Sequence, residues 1–212
     1  MKKWINAVLI TCFTLCISLA CSGTKDAKDY VSLIEDSRWT KDSFYRTHEN
    51  SPLRDDSTFN HLNYFPVSED WYIECDFKLR TDTQIVIIDT KGYPREYLVY
   101  GTLTGNTPTG SIQLFAFKMG AEQSLFVPFV DATCKNNKSY GGGRFIECLF
   151  PDENKKVMLD FNQAYNPYCH YNHNYNCPVV PKQNYLQNEI LAGESVYKEQ
   201  KEDFFDSPHS KE

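Results

Sequence analysis

Residues 71–80 read WYIECDFKLR, and their alternation decides the fold class. Trp71, Ile73, Cys75, Phe77 and Leu79 fall on one side of an extended chain, with Tyr72, Glu74, Asp76, Lys78 and Arg80 on the other. A helix would scatter both sets around its axis, so the segment reads as a strand with one face in a core. Cys75 lies on the apolar side and is expected to be a small core residue rather than a reactive thiol.

Downstream, further strands are expected at 84–89, 95–104, 111–118, 124–131, 143–150 and 156–162. Asp89-Thr90-Lys91-Gly92-Tyr93-Pro94, Gly105-Asn106-Thr107-Pro108-Thr109-Gly110 and Asp152-Glu153-Asn154 supply the turns. Seven short strands with short connections predict an all-β domain, an antiparallel sandwich or open barrel. Upstream, Tyr30, Val31, Ile34, Phe44 and Tyr45 fit one or two helical turns between Asp29 and Arg46. Asn50-Ser51-Pro52 ends that segment, because a residue before proline avoids the helical region.

The first twenty residues have the layout of a secretory signal, with Lys2 and Lys3 followed by an apolar run to Ala20. Ser18-Leu19-Ala20-Cys21 resembles the lipobox of bacterial lipoproteins, so Cys21 is the expected lipidation site, and 21–28 the tether to a membrane. Residues 29–195 then form a single β-rich domain, and 196–212 a charged, aperiodic tail. Loss of the two leader lysines takes the net charge from -6 to -8. A domain that acidic is a poor partner for nucleic acid. The expected location is the cell envelope, facing the periplasm or the cell surface.

Three of the eight cysteines belong to the leader and its processing point, leaving Cys75, Cys134, Cys148, Cys169 and Cys177. Residues 160–181, DFNQAYNPYCHYNHNYNCPVVP, crowd tyrosine, asparagine, histidine and cysteine without a helical period. Cys169, His170, His173 and Cys177 match no common zinc spacing, and a Cys-His nucleophile is disfavoured because adjacent residues rarely face each other. The favoured reading is a disulfide between Cys169 and Cys177 that staples a compact lid.

If 124–131, 143–150 and 156–162 form a meander, then Asp131, Thr133, Arg144, Asp160 and Asn162 share one rim, with Tyr140 in the adjoining loop and the lid above. Asp131, Thr133, Tyr140, Arg144, Asp160, Asn162, Tyr165, Asn166, Tyr168 and Asn172 are therefore the candidate ligand-binding residues. Tyrosine faces and asparagine amides suit a small polar ligand or a glycan. The alternative is a hydrolase with Asp131 or Asp160 as general base, and a third reading is a purely structural envelope protein. An arginine between the two acids would hold both ionised in a fixed network instead. No cofactor follows from the sequence.

FVPFVDAT, SYGGGRFIE, LDFNQAYNPYC, CPVVP and ILAGES, preceded by SRWTKDSFYR, SPL and FNHLNYFPVSEDW, resemble the signature blocks of a bacterial family, domain of unknown function 1684. The resemblance spans about 29–195 and includes Asp131, Arg144, Asp160, Asn166 and Glu194 among the matching positions. It implies no established activity.

Overall fold

The computed structural model describes residues 27–80, 83–119 and 123–198. The leader, Cys21 and the residues after Lys198 lie outside them. Helix α1 spans Ala27–Thr47. Seven strands follow: β1 Tyr72–Leu79, β2 Gln84–Ile88, β3 Pro94–Thr107, β4 Gly110–Lys118, β5 Ser124–Phe129, β6 Arg144–Leu149 and β7 Lys156–Asp160. Two single-turn helices, α2 Ala132–Lys135 and α3 Tyr168–Tyr171, interrupt the loops.

All pairings between strands are antiparallel, in the order β6-β5-β4-β3-β1-β7, with β2 added to β3. β3 is long because it serves two neighbours on one side: its first half pairs with β2 and its second half with β1, while β4 runs along its other edge. The sheet curls into a near-barrel, as the expected fold class requires. The expected meander of the last three strands is corrected: β7 pairs with β1, through Tyr72 opposite Asp160 and Cys75 opposite Val157, and not with β6. Closing the sheet on β1 pairs an edge that would otherwise expose its backbone groups.

The alternation of β1 holds. Ile73, Cys75 and Phe77 are buried with Leu103, Leu114, Val127, Ile146 and Leu159 in one core, and only Leu79, at the strand end, turns outward. Burial pushes the Cys75 thiol up to about 12, as expected for a core residue.

Helix α1, 21 residues long, far exceeds the one or two turns expected. Tyr30, Ile34, Arg38, Lys41 and Tyr45 recur at helical spacing along its inner face. Two of these five are cations, so counting apolar residues underestimates the buried stripe. Ser51 closes the segment by donating its hydroxyl to the Tyr45 carbonyl at 2.6 Å.

The C-terminal segment 184–194, a strap, closes one end of the barrel. Leu186, Ile190 and Ala192 join the main core. The Asn184 amide accepts from the Phe115 N–H and donates to the Phe115 and Pro128 carbonyls, bridging β4 and β5 where their ladder has parted. Contacts continue through Val196, Tyr197 and Lys198, the last salt-bridged to Asp56.

Candidate functional site

The strand registers bring the end of β5, the start of β6 and the end of β7 to a single end of the barrel. At that end, two polar networks stand apart. In the first, Asp131 and Arg144 form a fully buried ion pair at 3.0 Å. Asp131 also accepts from the Thr133 hydroxyl and N–H and from the Ile190 N–H at 2.7 Å. Arg144 donates to the Ile190, Ala192 and Glu194 carbonyls and lies between the Phe65 and Phe129 rings. The pair is a clamp on the closing segment, and no oxygen of Asp131 is left over for substrate chemistry.

In the second network, Asp160 accepts from the Tyr30 hydroxyl at 2.9 Å, the Asn162 N–H and the Gln163 amide. Asn162 donates to Tyr30 and to the Ser68 carbonyl, so the group ties α1 to β7. The Phe129–Phe161 ring contact lies between the two networks. The expected residues thus share one end of the barrel but not one cluster: Asp131, Thr133 and Arg144 meet, whereas Asp160 and Asn162 belong to the dock of α1. The cause is the pairing of β7 with β1.

The expected disulfide is also corrected. Cys169 and Cys177 are buried free thiols, and the Cys177 sulfur accepts a hydrogen bond from the Cys169 N–H at 3.3 Å. The loop is held through backbone groups instead, with the Cys177 N–H on the Thr90 hydroxyl and its carbonyl accepting from the Thr90 N–H. Tyr140 packs on both cysteines and beside His170. His170 accepts from the Tyr197 N–H through Nε2. Asn172 holds its own turn and reaches the Pro52 carbonyl, and Tyr168 packs edge-on against Tyr45 and Tyr175. These residues build a lid; their polar atoms face one another.

Beneath α1 the arrangement is different. Glu194, 1 % exposed, accepts on one oxygen from the Asn166 N–H and the Tyr171 hydroxyl, and pairs through the other with Lys41 of α1. Lys41 also lies over the Tyr45 and Tyr165 rings, while the Tyr165 hydroxyl leaves this group for Glu147. One turn earlier, the Arg38 guanidinium sits 4.4 Å above the Tyr64 ring and donates from Nη1 to the Phe65 carbonyl. Tyr64 is bridged through its backbone to Glu194.

Around this cluster, Arg38 Nε and Nη2, the Tyr45 and Tyr64 hydroxyls and Asn166 Oδ1 are buried without a hydrogen-bond partner among the described residues. Burial, reinforced by the Glu194 charge, raises the Tyr45 and Tyr64 hydroxyls well above the usual tyrosine range. Burial also lowers Arg38. The hydroxyls are neutral, able to donate or accept, and the guanidinium has one edge uncommitted. A buried polar atom without a partner costs about 1–3 kcal/mol, and here five converge between one helix and one strap.

Of the ten expected ligand residues, Asn166 places its uncommitted Oδ1 in this group, and Arg144 has an uncommitted Nε beside the Phe65 and Phe129 rings. Arg38, Lys41, Tyr45, Tyr64 and Glu194 were missed as site residues. Their signal was the two cations on the apolar stripe of α1, together with the acid of ILAGES at a family position.

A family model described as a protein of unknown function, DUF1684, matches residues 57–195. No curated protein matches the chain. The solution NMR structure of an uncharacterized protein of Haloarcula marismortui is similar at 33% sequence identity with a TM-score of 0.62, over 81% of this chain and 96% of that one.

Proposed function

The chain belongs to the DUF1684 family, and from that premise we propose that it is an exported, lipid-anchored binding module for a small polar molecule or glycan, received between α1 and the Glu194 strap. The single observation that carries the reading is the convergence there of buried polar atoms with no partner in the fold. A protein under selection for stability alone would replace them, since an unmatched buried group destabilises. A ligand that supplies the missing partners recovers that free energy and stabilises the folded state by mass action.

The anchor rests on the leader and on Ser18-Leu19-Ala20-Cys21. No helix among the described residues is long and apolar enough to cross a membrane, which is compatible with attachment by acyl chains. The hydrolase reading has less support, because Asp131 is consumed by Arg144, Thr133 and Ile190, and Asp160 by Tyr30, Asn162 and Gln163.

A thermal-shift screen of small polar metabolites and oligosaccharides tests the reading. Stabilising compounds are expected to lose most of their effect in Tyr64→Phe, which deletes one lining hydroxyl, and to keep it in Asn172→Ala, in the outer loop. Stabilisation indifferent to Tyr64→Phe would place the ligand elsewhere. Intact mass of the membrane fraction, with and without Cys21→Ser, tests the anchor; an unmodified mature mass would remove it.

A further inference from the structure

Two arginines of this barrel end, Arg144 fully buried and Arg38 half-buried, provide an internal comparison. Arg144 has three carbonyls and a carboxylate around its two terminal nitrogens, and only its Nε is without a partner among the described residues. Arg38 has one carbonyl, and its Nε and Nη2 are both buried and uncommitted. Those two nitrogens form one edge of the guanidinium. Their parallel N–H bonds match the two oxygens of a carboxylate.

The charge inventory narrows the ligand further. Lys41 is neutralised by Glu194. Asp42 accepts from the Leu62 N–H at 2.9 Å, and its charge acts on the Tyr64 hydroxyl. Glu35, one turn before Arg38, is exposed, and none of the ion pairs among the described residues includes Arg38. Arg38 is therefore a cation with no ion-pair partner among the described residues, beside the fixed negative charge of Glu194. A single negative charge balances it, whereas a phosphate dianion would be repelled by Glu194.

The remaining uncommitted atoms define the rest of the molecule. Asn166 Oδ1 can only accept, so it faces an O–H or N–H of the ligand. The Tyr45 and Tyr64 hydroxyls serve either role, and the Tyr64 ring carries the guanidinium in place. Lys41, whose side chain is 29% exposed, stands at the solvent edge of this group over the Tyr165 ring.

We propose that the ligand of this site is a small hydroxy- or amino-carboxylic acid, free or as the acidic end of a sugar, with its carboxylate on the Arg38 edge and a hydroxyl or amino group on Asn166 Oδ1. This rests on the binding reading above and names the chemistry of that same site. It requires no covalent step.

Calorimetric titration of the mature protein with matched pairs tests it: lactate against lactamide, glycerate against glycerol, glucuronate against glucose, and inorganic phosphate as a separate arm. At least one acid is expected to bind about tenfold or more tightly than its neutral counterpart, since a charge-assisted two-point contact is lost in the neutral compound. Arg38→Lys keeps the charge and removes the edge, and is expected to collapse that preference toward unity. Acids and neutral partners binding equally, phosphate binding as tightly as the acids, or a preference that survives Arg38→Lys would each overturn the carboxylate while leaving a binding module. If neither these compounds nor the wider polar screen binds, both readings fall and the site holds solvent only. The comparison of matched pairs on the unaltered protein decides the question even if the variant does not fold.

Discussion

Arg144 illustrates how much a single side chain can hold at this end of the barrel. Arg144→Met leaves Asp131 charged and buried, which is expected to cost about 3–5 kcal/mol. Adding Asp131→Asn removes the stranded charge, so the double variant should be more stable than Arg144→Met alone in urea titrations; equal stabilities would mean that the pair is not coupled. The tyrosines beneath α1 separate by the same logic. Tyr171→Phe deletes a donor to buried Glu194 and is expected to cost about 1.5–3 kcal/mol. Tyr45→Phe removes a hydroxyl with no partner in the fold, and is expected to change stability by less than about 0.5 kcal/mol, or to raise it. A Tyr45→Phe loss as large as that of Tyr171→Phe would show a partner for its hydroxyl.

His170 gives the molecule a pH dependence of known sign. Burial, with His173 nearby, lowers its pKa to about 4, below the ordinary value near 6.5. Above that value both folded and unfolded chains carry a neutral ring, and the stability is unaffected. As pH falls from about 6.5 toward 4, only the unfolded chain takes up the proton, so stability declines by about 2–3 kcal/mol. His170→Asn should flatten that window in denaturation at pH 7 and pH 4.5, and an unchanged slope would assign the loss to other groups. Little of this was legible beforehand: Asp131, Thr133 and Arg144 were placed together from strand order, but which partner satisfies each atom depends on carbonyls of residues 190–194. Composition carries no trace of those carbonyls.

At the scale of elements, period-two patterns were legible wherever one face is buried, as in β1, and the expected strand limits lie within a few residues of those observed. Pairing partners were less legible. β7 follows β6 in sequence yet binds β1, because closing a curled sheet depends on its total curvature and not on local pattern. α1 was underestimated for the opposite reason, since Arg38 and Lys41 look like solvent-facing residues until an acid, a carbonyl and aromatic faces meet them. The strap imposes a local demand of its own at Gly193, with φ +77 and a Cβ position 2.6 Å from the Ala164 carbonyl oxygen. Gly92, at φ +85, has open space around the same position. Gly92→Ala is therefore expected to cost only the backbone term, about 1 kcal/mol. Gly193→Ala should cost clearly more, because carbonyl oxygens must also move. Equal midpoints in guanidinium would show that the strap yields without strain.

For the whole molecule, the barrel is completed by chain that is not part of its sheet. Ile190 and Ala192 are fully buried, and Glu194 joins the strap to α1 through Lys41. Removal of residues 186–212 is accordingly expected to leave a strand-rich but loosely packed domain, with increased dye binding and a weakened near-ultraviolet signal. Retention of native near-ultraviolet dichroism would show that the sheet closes unaided. The family match begins at residue 57, so the cations of α1 lie outside the matched region while Tyr64, Asn166 and Glu194 lie inside it. The family-model match thus covers one wall of the site, while the other is carried only by the resembling block SRWTKDSFYR.

The strap also sets an order of events during synthesis. Tyr30 finds Asp160 130 positions later, and Arg144 must wait for carbonyls as far on as Glu194. A growing polypeptide that has already released all seven strands still lacks the segment that seals them, and contacts so distant along the chain form slowly. Maturation is thereby deferred until translation is nearly finished, and the unsealed sheet is the last intermediate before the native packing.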